Sequence, residues 1–370
     1  MADCDVAVVG AGVIGQAIAY ELVTRGTSVT ILDARGTGLG STQAAAGMLV
    51  PYIEGVGHAL LPLAVKSLGM YDQFVERLTR DTGMGVGYAR TGSLEVATED
   101  ESVRELKHVA AALSAAGVKC QLLDARETRH AEPHLTPDVR AGLLIPEHGF
   151  IGAIELSGAL AAGAVKRGAR VIAPARVRRI SRCGDDIDVE LESADRVSAR
   201  QVVVAAGCWT GQINIDDIPP LPIRPVRGQL LQLTWPCDPL KRIAWGPNCY
   251  IVPSAPHTVL VGATVEEAGF DERTTVAGIR DLLDAARGLA PEIWQAGFTA
   301  ARVGLRPATP DHMPVIGRSS KVPGVVFATG HFRNGILLAP FTAKAVADLV
   351  LENREDPLLG AASPRRFGEY

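Results

Sequence analysis

The stretch Val6-Ala7-Val8-Val9-Gly10-Ala11-Gly12-Val13-Ile14-Gly15 places an unbroken apolar run directly before three glycines spaced G-x-G-x-x-G. Four consecutive apolar residues predict a parallel strand buried on both faces. Ala17, Ile18, Leu22 and Val23 then recur at helical spacing as far as Gly26, and Ser28 to Leu32 predicts a second strand ending at Asp33. A strand, glycine turn, helix and strand closed by an acid form the unit that binds dinucleotides. Gly10 allows the tight turn, Gly12 lets backbone approach a pyrophosphate, and Gly15 lets helix and strand pack closely. Val13 and Ile14 open the helix, whose free N–H groups and positive dipole end favour phosphate. Asp33, followed by Ala34, stands where a carboxylate accepts hydrogen bonds from ribose hydroxyls.

Outward from this unit, Thr42 to Gly47 reads as a small-residue loop. Helices are predicted over Leu60–Leu78, Val103–Ala116 and Leu156–Arg167, and strands over Ser93–Ala97, near Val171, and over Val177–Ile180 and Ile187–Leu191. Val202-Val203-Val204-Ala205-Ala206-Gly207 repeats the buried-strand pattern. From Pro219 to about Gly297 prolines become frequent, and Gln229–Leu233, Tyr250–Val252 and Val259–Gly262 alternate as antiparallel strands do, with one helix over Thr275–Gly288. Val325–Ala328 is again a buried strand. It runs into Gly330-His331-Phe332-Arg333-Asn334-Gly335 and a last helix over Ile336–Leu351. The expected fold class is α/β, with a Rossmann-like dinucleotide domain over 1–48, 140–210 and 307–370. It is interleaved with an antiparallel-sheet-plus-helices substrate domain over 49–139 and 211–306.

The 370 residues suit two lobes and not one core, and 47% hydrophobic with 21% charged residues is the composition of a globular enzyme. A net charge of −4 offers no electrostatic footprint for nucleic acid or an anionic membrane. The six cysteines, Cys4, Cys120, Cys183, Cys208, Cys237 and Cys249, show no CxxC pair or metal-ligand spacing, and scattered thiols fit a reducing cytosol. Glycines interrupt the first apolar stretch, and the residues before it are acidic, so neither a secretory signal nor a membrane span is expected and the cytoplasm is the default.

The fingerprint alone does not separate NAD from FAD. Its position near the start of the chain suits a flavoprotein, and the late glycine loop can cover a flavin ring with a helix N-terminus, though read alone it can also be a plain helix cap. Several segments together resemble the glycine/D-amino-acid oxidase superfamily: the fingerprint, Val203–Trp209 (VVAAGCW) and Pro225-Val226-Arg227-Gly228-Gln229. A narrower resemblance to ThiO-type glycine oxidases of thiamin biosynthesis rests on four further segments. These are Ala44–Met48, Cys249–Pro253, Val303–Pro307 and Gly330–Leu337. The resemblance implies a glutathione-reductase-type FAD domain. FAD contacts would come from Gly10, Gly12, Val13, Ile14, Gly15, Asp33, Ala34, Ser41, Thr42, Ala46, Gly47, Met48 and backbone near Val177. His331, Phe332, Arg333, Asn334, Gly335, Ile336 and Leu337 would border the ring. No cysteine follows Cys249, so a late covalent tether is absent and the FAD is expected to be non-covalent. Asn248 stands where glycine oxidases often carry histidine, a departure on the substrate side.

An amino-acid carboxylate calls for a planar, permanently charged fork, hence arginine. Arg306 is the candidate, against the alternative of an interdomain ion pair. Tyr250 would donate its phenol to the same carboxylate, unless it is ordinary core, and Arg333 would touch substrate or flavin edge, unless it is a solvated helix-terminus cation. The family chemistry implied is hydride transfer from Cα to flavin, oxo acid, ammonia and hydrogen peroxide as products, dioxygen as acceptor, and a homo-oligomer, often a tetramer. His331 is then not expected to act as a base. Three other readings stay open: a dehydrogenase of the same fold passing electrons to a carrier, a flavin-binding subunit without turnover, and an NAD-linked dehydrogenase.

Overall fold

The computed structural model describes residues 2–236 and 240–370; Met1 and 237–239, which include Cys237, lie outside the described residues. Among the described residues the chain forms two large sheets, of nine and eight strands, and a two-stranded ribbon. The first follows the order Asn214–Ile215, Val177–Cys183, Asp186–Leu191, Arg196–Val204, Cys4–Val9, Val29–Leu32, Arg170–Ile172. Cys4–Val9 is parallel to both neighbours, pairing Val8 with Val203 and Val8 with Ile31. The other edge of Arg196–Val204 is divided. Its first half pairs antiparallel with Asp186–Leu191, and Val202 to Val204 pair parallel with Val325–Thr329.

The unbroken apolar runs are explained by two cores, one on each face. Val6 and Val8 face one core while Ala7 and Val9 face the other, and Val203 alternates likewise with Val202 and Val204. Helices Val13–Thr24, Leu61–Thr82, Ala153–Lys166 and Gly335–Glu352 build the first core. Val13–Thr24 is buried from Val13 through Val23, which is why its apolar residues form no single stripe.

The eight-stranded sheet runs Gly297–Ala308, Arg224–Thr234, Thr258–Gly262, Tyr250–Pro253, Ile243–Trp245, Ser93–Ala97, Ala141–Ile145, Gln121–Asp124. Its neighbours are antiparallel except Ile243–Trp245 beside Ser93–Ala97. The predicted helix over Thr275–Gly288 is Val276–Leu289, with Thr275 as N-cap accepting from the Gly278 N–H. The helix expected from Val103 starts at Asp100, because two acids extend its first turn.

Packing departs from the expected division at three places, two strands and one helix. Ala141–Ile145 pairs with Ser93–Ala97 in the second sheet, although it follows the boundary at 140. Asn214–Ile215 pairs with Val177–Cys183 in the first. Leu61–Thr82 packs Leu63, Leu68, Tyr71, Phe74 and Leu78 into the first core. An apolar run records that a segment is buried, and carries no record of which layer buries it.

Candidate active site

Each glycine of the first turn has its own steric reason. Gly10 has φ +109°, and a Cβ there would lie 2.4 Å from the Ala205 carbonyl oxygen. At Gly15 a Cβ would lie 1.9 Å from the Gly10 carbonyl oxygen, so this residue serves helix–strand packing and does not line the cavity. Around Gly12 only the Thr42 hydroxyl comes near, at 3.6 Å, and the space beyond is open cavity. Val13 N–H donates to Thr42 Oγ1 at 3.0 Å. Asp33 braces the turn: one oxygen accepts from Ala11 N–H at 2.7 Å, the other from Arg35 and Gly36 N–H at 2.8 Å. The cavity continues along Ala34, Arg35, Ala175, Val177 and Trp209, with the Arg35 guanidinium 4.3 Å above the Trp209 ring.

The late loop closes the far end. Phe332 adopts φ +49°, donates its N–H to the Pro307 carbonyl at 3.0 Å, and stacks on His312 with ring centroids 4.5 Å apart. Asn334 N–H donates to the His331 carbonyl at 2.8 Å, and Gly335 begins the last helix. His331 itself is buried, with Nε2 3.1 Å from Thr342 Oγ1, and burial pushes its pKa down to about 3. A neutral imidazole turned into the core is no base for a substrate. Leu337 is 2% exposed in the first core and borders neither cavity, unlike Ile336.

Two cavities, of about 240 and about 300 Å³, both include Val13, Ser41, Thr42, Phe332 and Gly335 in their walls, so they run together. The second is a chamber walled by Ala46, Gly47, Met48, Trp245 and Tyr250, with Arg306, Arg333 and Asn334 around it. Its floor is the eight-stranded sheet, where two glycines make room for the Arg306 and Tyr250 side chains. A Cβ at Gly228 would lie 2.3 Å from Arg306 Nη1, and one at Gly262 would lie 2.4 Å from the Tyr250 hydroxyl. Gly304 does the same between elements, since a Cβ there would reach Ala44 Cβ at 3.0 Å and Ser41 Cα at 3.1 Å.

Arg306 is half-buried. Its Nη1 donates to the Thr264 and Arg227 carbonyls at 3.0 and 3.3 Å, and among the described residues no carboxylate pairs with it. Burial lowers its pKa, with the neighbouring Arg333 adding to the effect and Tyr250 and Glu266 opposing it; a guanidinium stays charged through such a shift. Burial raises the Tyr250 pKa against the opposing pull of Arg306 and Arg333, so the phenol keeps its proton at neutral pH. Arg333 borders the chamber but is exposed.

Residues 5–349 match the family described as DAO: FAD dependent oxidoreductase. The chain belongs to this family. A glycine oxidase of Geobacillus kaustophilus is 35% identical over 94% of this chain and 92% of its own length. The crystal structure of glycine oxidase from Geobacillus kaustophilus superposes with a TM-score of 0.93 at 33% identity, covering 99% of both chains. The bifunctional protein ThiO/ThiG of Nostoc sp. is 36% identical over 96% of this chain but only 54% of its own length. The chain therefore spans about half of that relative.

As in the rest of the family, the cofactor is FAD, and the residues present fit it. Gly12 leaves a cradle beside the start of helix Val13–Thr24, where the N-cap glycine itself supplies no capping side chain, and the cavity leads on between Ser41 and Phe332 to the chamber. Arg35, Ala175, Arg176 and Trp209 line this path without having been singled out from sequence. Trp209 and Pro307 lie inside the segments Val203–Trp209 and Val303–Pro307, whereas Arg35 and Arg176 carried no local signal. Ile53, Trp245 and Val265 of the chamber carried no chemical signal either, since an apolar side chain reads as core before it reads as a cavity wall.

Proposed function

We propose that this family member oxidises glycine and related small α-amino acids or amines, with dioxygen as electron acceptor. The observation that carries the reading is the half-buried Arg306 beside a protonated Tyr250, in a chamber continuous with the cofactor cavity. FAD, when bound, supplies the hydride acceptor. Arg306 would grip the substrate carboxylate with its fork, and Tyr250 would donate its phenol O–H to the same group. Anchored there, a small zwitterion has its Cα–H bond held in one orientation, so rate comes from alignment and electrostatics. No protein base needs to remove a Cα proton, and His331, neutral and bonded to Thr342, takes no part. Arg333 would add positive charge at the chamber's edge, which favours an anionic substrate and an electron-rich ring. The imine product would then hydrolyse to oxo acid and ammonia, with hydrogen peroxide formed from dioxygen.

Ser41, Thr42, Ala46, Gly47 and Met48 would line the cofactor between pyrophosphate and ring, and Val177 would lie beside the adenine. The relatives named for ThiO support a place in thiamin biosynthesis. We also propose a non-covalent FAD, a cytoplasmic location and a homo-oligomeric, tetrameric assembly. Among the described residues no helix is long and apolar enough to cross a membrane, and the five described cysteines are unpaired, as a reducing compartment would leave them.

The test is oxygen uptake and peroxide release by the purified yellow protein with glycine, sarcosine, D-alanine and D-proline, paired with anaerobic mixing. The expected result is bleaching of the flavin by at least one substrate and stoichiometric peroxide in air. Bleaching without oxygen uptake would move the acceptor to a carrier. No bleaching by any of them would overturn the reading.

A further inference from the structure

Behind Arg306 lies a polar network that direct substrate contact does not explain. Arg227 and Glu266 clasp each other twice through backbone: Arg227 N–H donates to the Glu266 carbonyl at 2.9 Å, and Glu266 N–H returns to the Arg227 carbonyl at 3.0 Å. Their side chains close the same pair, with Arg227 Nη2 and Nε at 2.5 and 3.2 Å from Glu266 Oε2. The other carboxylate oxygen accepts from Gln229 Nε2 at 2.8 Å and from the Thr264 hydroxyl at 2.5 Å. Thr264 Oγ1 in turn accepts the Gln229 N–H at 2.8 Å, and Arg227 Nη1 reaches Asp271 at 3.0 Å. The two carbonyls that this network immobilises, those of Arg227 and Thr264, are the two on which Arg306 Nη1 rests. Glu266 forms no ion pair with Arg306, among the described residues, because Arg227, Gln229 and Thr264 hold both of its oxygens.

We propose that Glu266 is a positioning residue for carboxylate recognition: clasped by Arg227, it fixes the carbonyls of Arg227 and Thr264 and so sets the direction in which the Arg306 fork faces the chamber. A long cationic side chain with one nitrogen pinned by two rigid acceptors loses little rotamer entropy on binding, and its other N–H groups stay available. A direct Glu266–Arg306 pair would instead compete with the substrate. The network also gives Arg227-Gly228-Gln229 one physical role, since Gly228 admits the guanidinium while its two neighbours hold Glu266.

This inference rests on the reading of Arg306 as the carboxylate anchor, and the experiment separates the two. The probe is glycolate, an isostere of glycine without an amine to oxidise, titrated into FAD-loaded protein and followed by perturbation of the flavin spectrum. In Glu266→Gln every hydrogen-bonding partner of the side chain is a donor, so the new amide N–H₂ group faces donors and the clasp loosens. The glycolate Kd and the glycine KM should each rise about tenfold. The kcat should change much less, and FAD affinity should not move. Thr264→Val removes one donor to Glu266 and the acceptor of the Gln229 N–H while keeping shape, and should raise the glycolate Kd about threefold, which also serves if the first variant fails to fold. Combining Glu266→Gln with Arg306→Lys should add little to the loss from Arg306→Lys alone, because both act through one guanidinium. If Arg306→Lys weakens glycolate while FAD-loaded Glu266→Gln and Thr264→Val bind it normally, the positioning role is overturned and the anchor stands. If Arg306→Lys itself binds glycolate normally, the anchor fails and takes this inference with it.

Discussion

A charged fork at Arg306 whose partners, among the described residues, are backbone carbonyls is suited to an anion from outside. Replacing it by alanine leaves a bound carboxylate unpaired in a partly desolvated chamber, which costs about 3–5 kcal/mol. That is roughly two to four decades in kcat/KM for glycine. Steady-state kinetics check it, with FAD content expected to stay near the parent value and Tm to fall modestly, since the variant gives up the bonds to the Thr264 and Arg227 carbonyls. Gly228→Ala argues the same point without touching the charge. Its methyl would lie 2.3–2.4 Å from the guanidinium atoms of Arg306, so the fork must swing away. We expect at least a tenfold rise in glycine KM, with flavin binding retained. Arg306 and Tyr250 stood out in the sequence as candidates because a carboxylate is suited by a guanidinium fork and a phenol donor, inside segments that resemble a known family, and the structure brings both to one chamber. Gly228 and Gly262 were not legible in this role. A glycine that makes room for a distant side chain announces itself only once the strands Arg224–Thr234 and Gly297–Ala308 are paired. Leu337 shows the opposite error, a residue next to the late loop that faces the core and not the cofactor.

The sheet and the small-residue loop meet where Gly304, on the edge strand Gly297–Ala308, lies against Ser41 and Ala44, and the Ser41 hydroxyl donates to the Leu305 carbonyl. Both cavities are walled by Ser41 and Thr42 at this junction. A side chain at position 304 would therefore separate two elements that must touch. For Gly304→Val the overpacking cost is about 1–3 kcal/mol. It should appear as weaker FAD binding together with a lower Tm, read by flavin fluorescence and thermal melting. A variant that retained parental FAD affinity would show that the junction yields and is not a cofactor wall. Individual elements were mostly legible because period and length identify them, as with Val325–Thr329 and Gly335–Glu352. Pairing was not: nothing local says that Ala141–Ile145 joins Ser93–Ala97 and not the first sheet, since register is settled by partners far along the chain.

Across the whole molecule, two buried histidines tie stability to pH. His331 bonds Thr342, while His148 lies 2.7 Å from Ser93 Oγ through Nδ1, stacks on Tyr52, and has Nε2 buried without a partner among the described residues. Burial holds both pKa values at about 3, with Arg90 adding to the effect at His148. In the unfolded chain each imidazole titrates near about 6.5. Because the folded value lies below the unfolded one, the unfolded state binds more protons between them, and stability falls as pH drops through that window. From about pH 7.5 to about pH 5.5 each histidine should remove about 1.4 kcal/mol, with close to one proton taken up per histidine on unfolding. Depressed carboxylates such as Asp348 and Asp356 act with the same sign, but only nearer their own lower unfolded values. Thermal melts of the holo-protein across that range measure the loss. Replacing His148 and His331 together by glutamine, which keeps one polar contact at each site without a titratable ring, should flatten the pH dependence. If the double variant kept the full slope, the acid sensitivity would have to arise elsewhere in the chain.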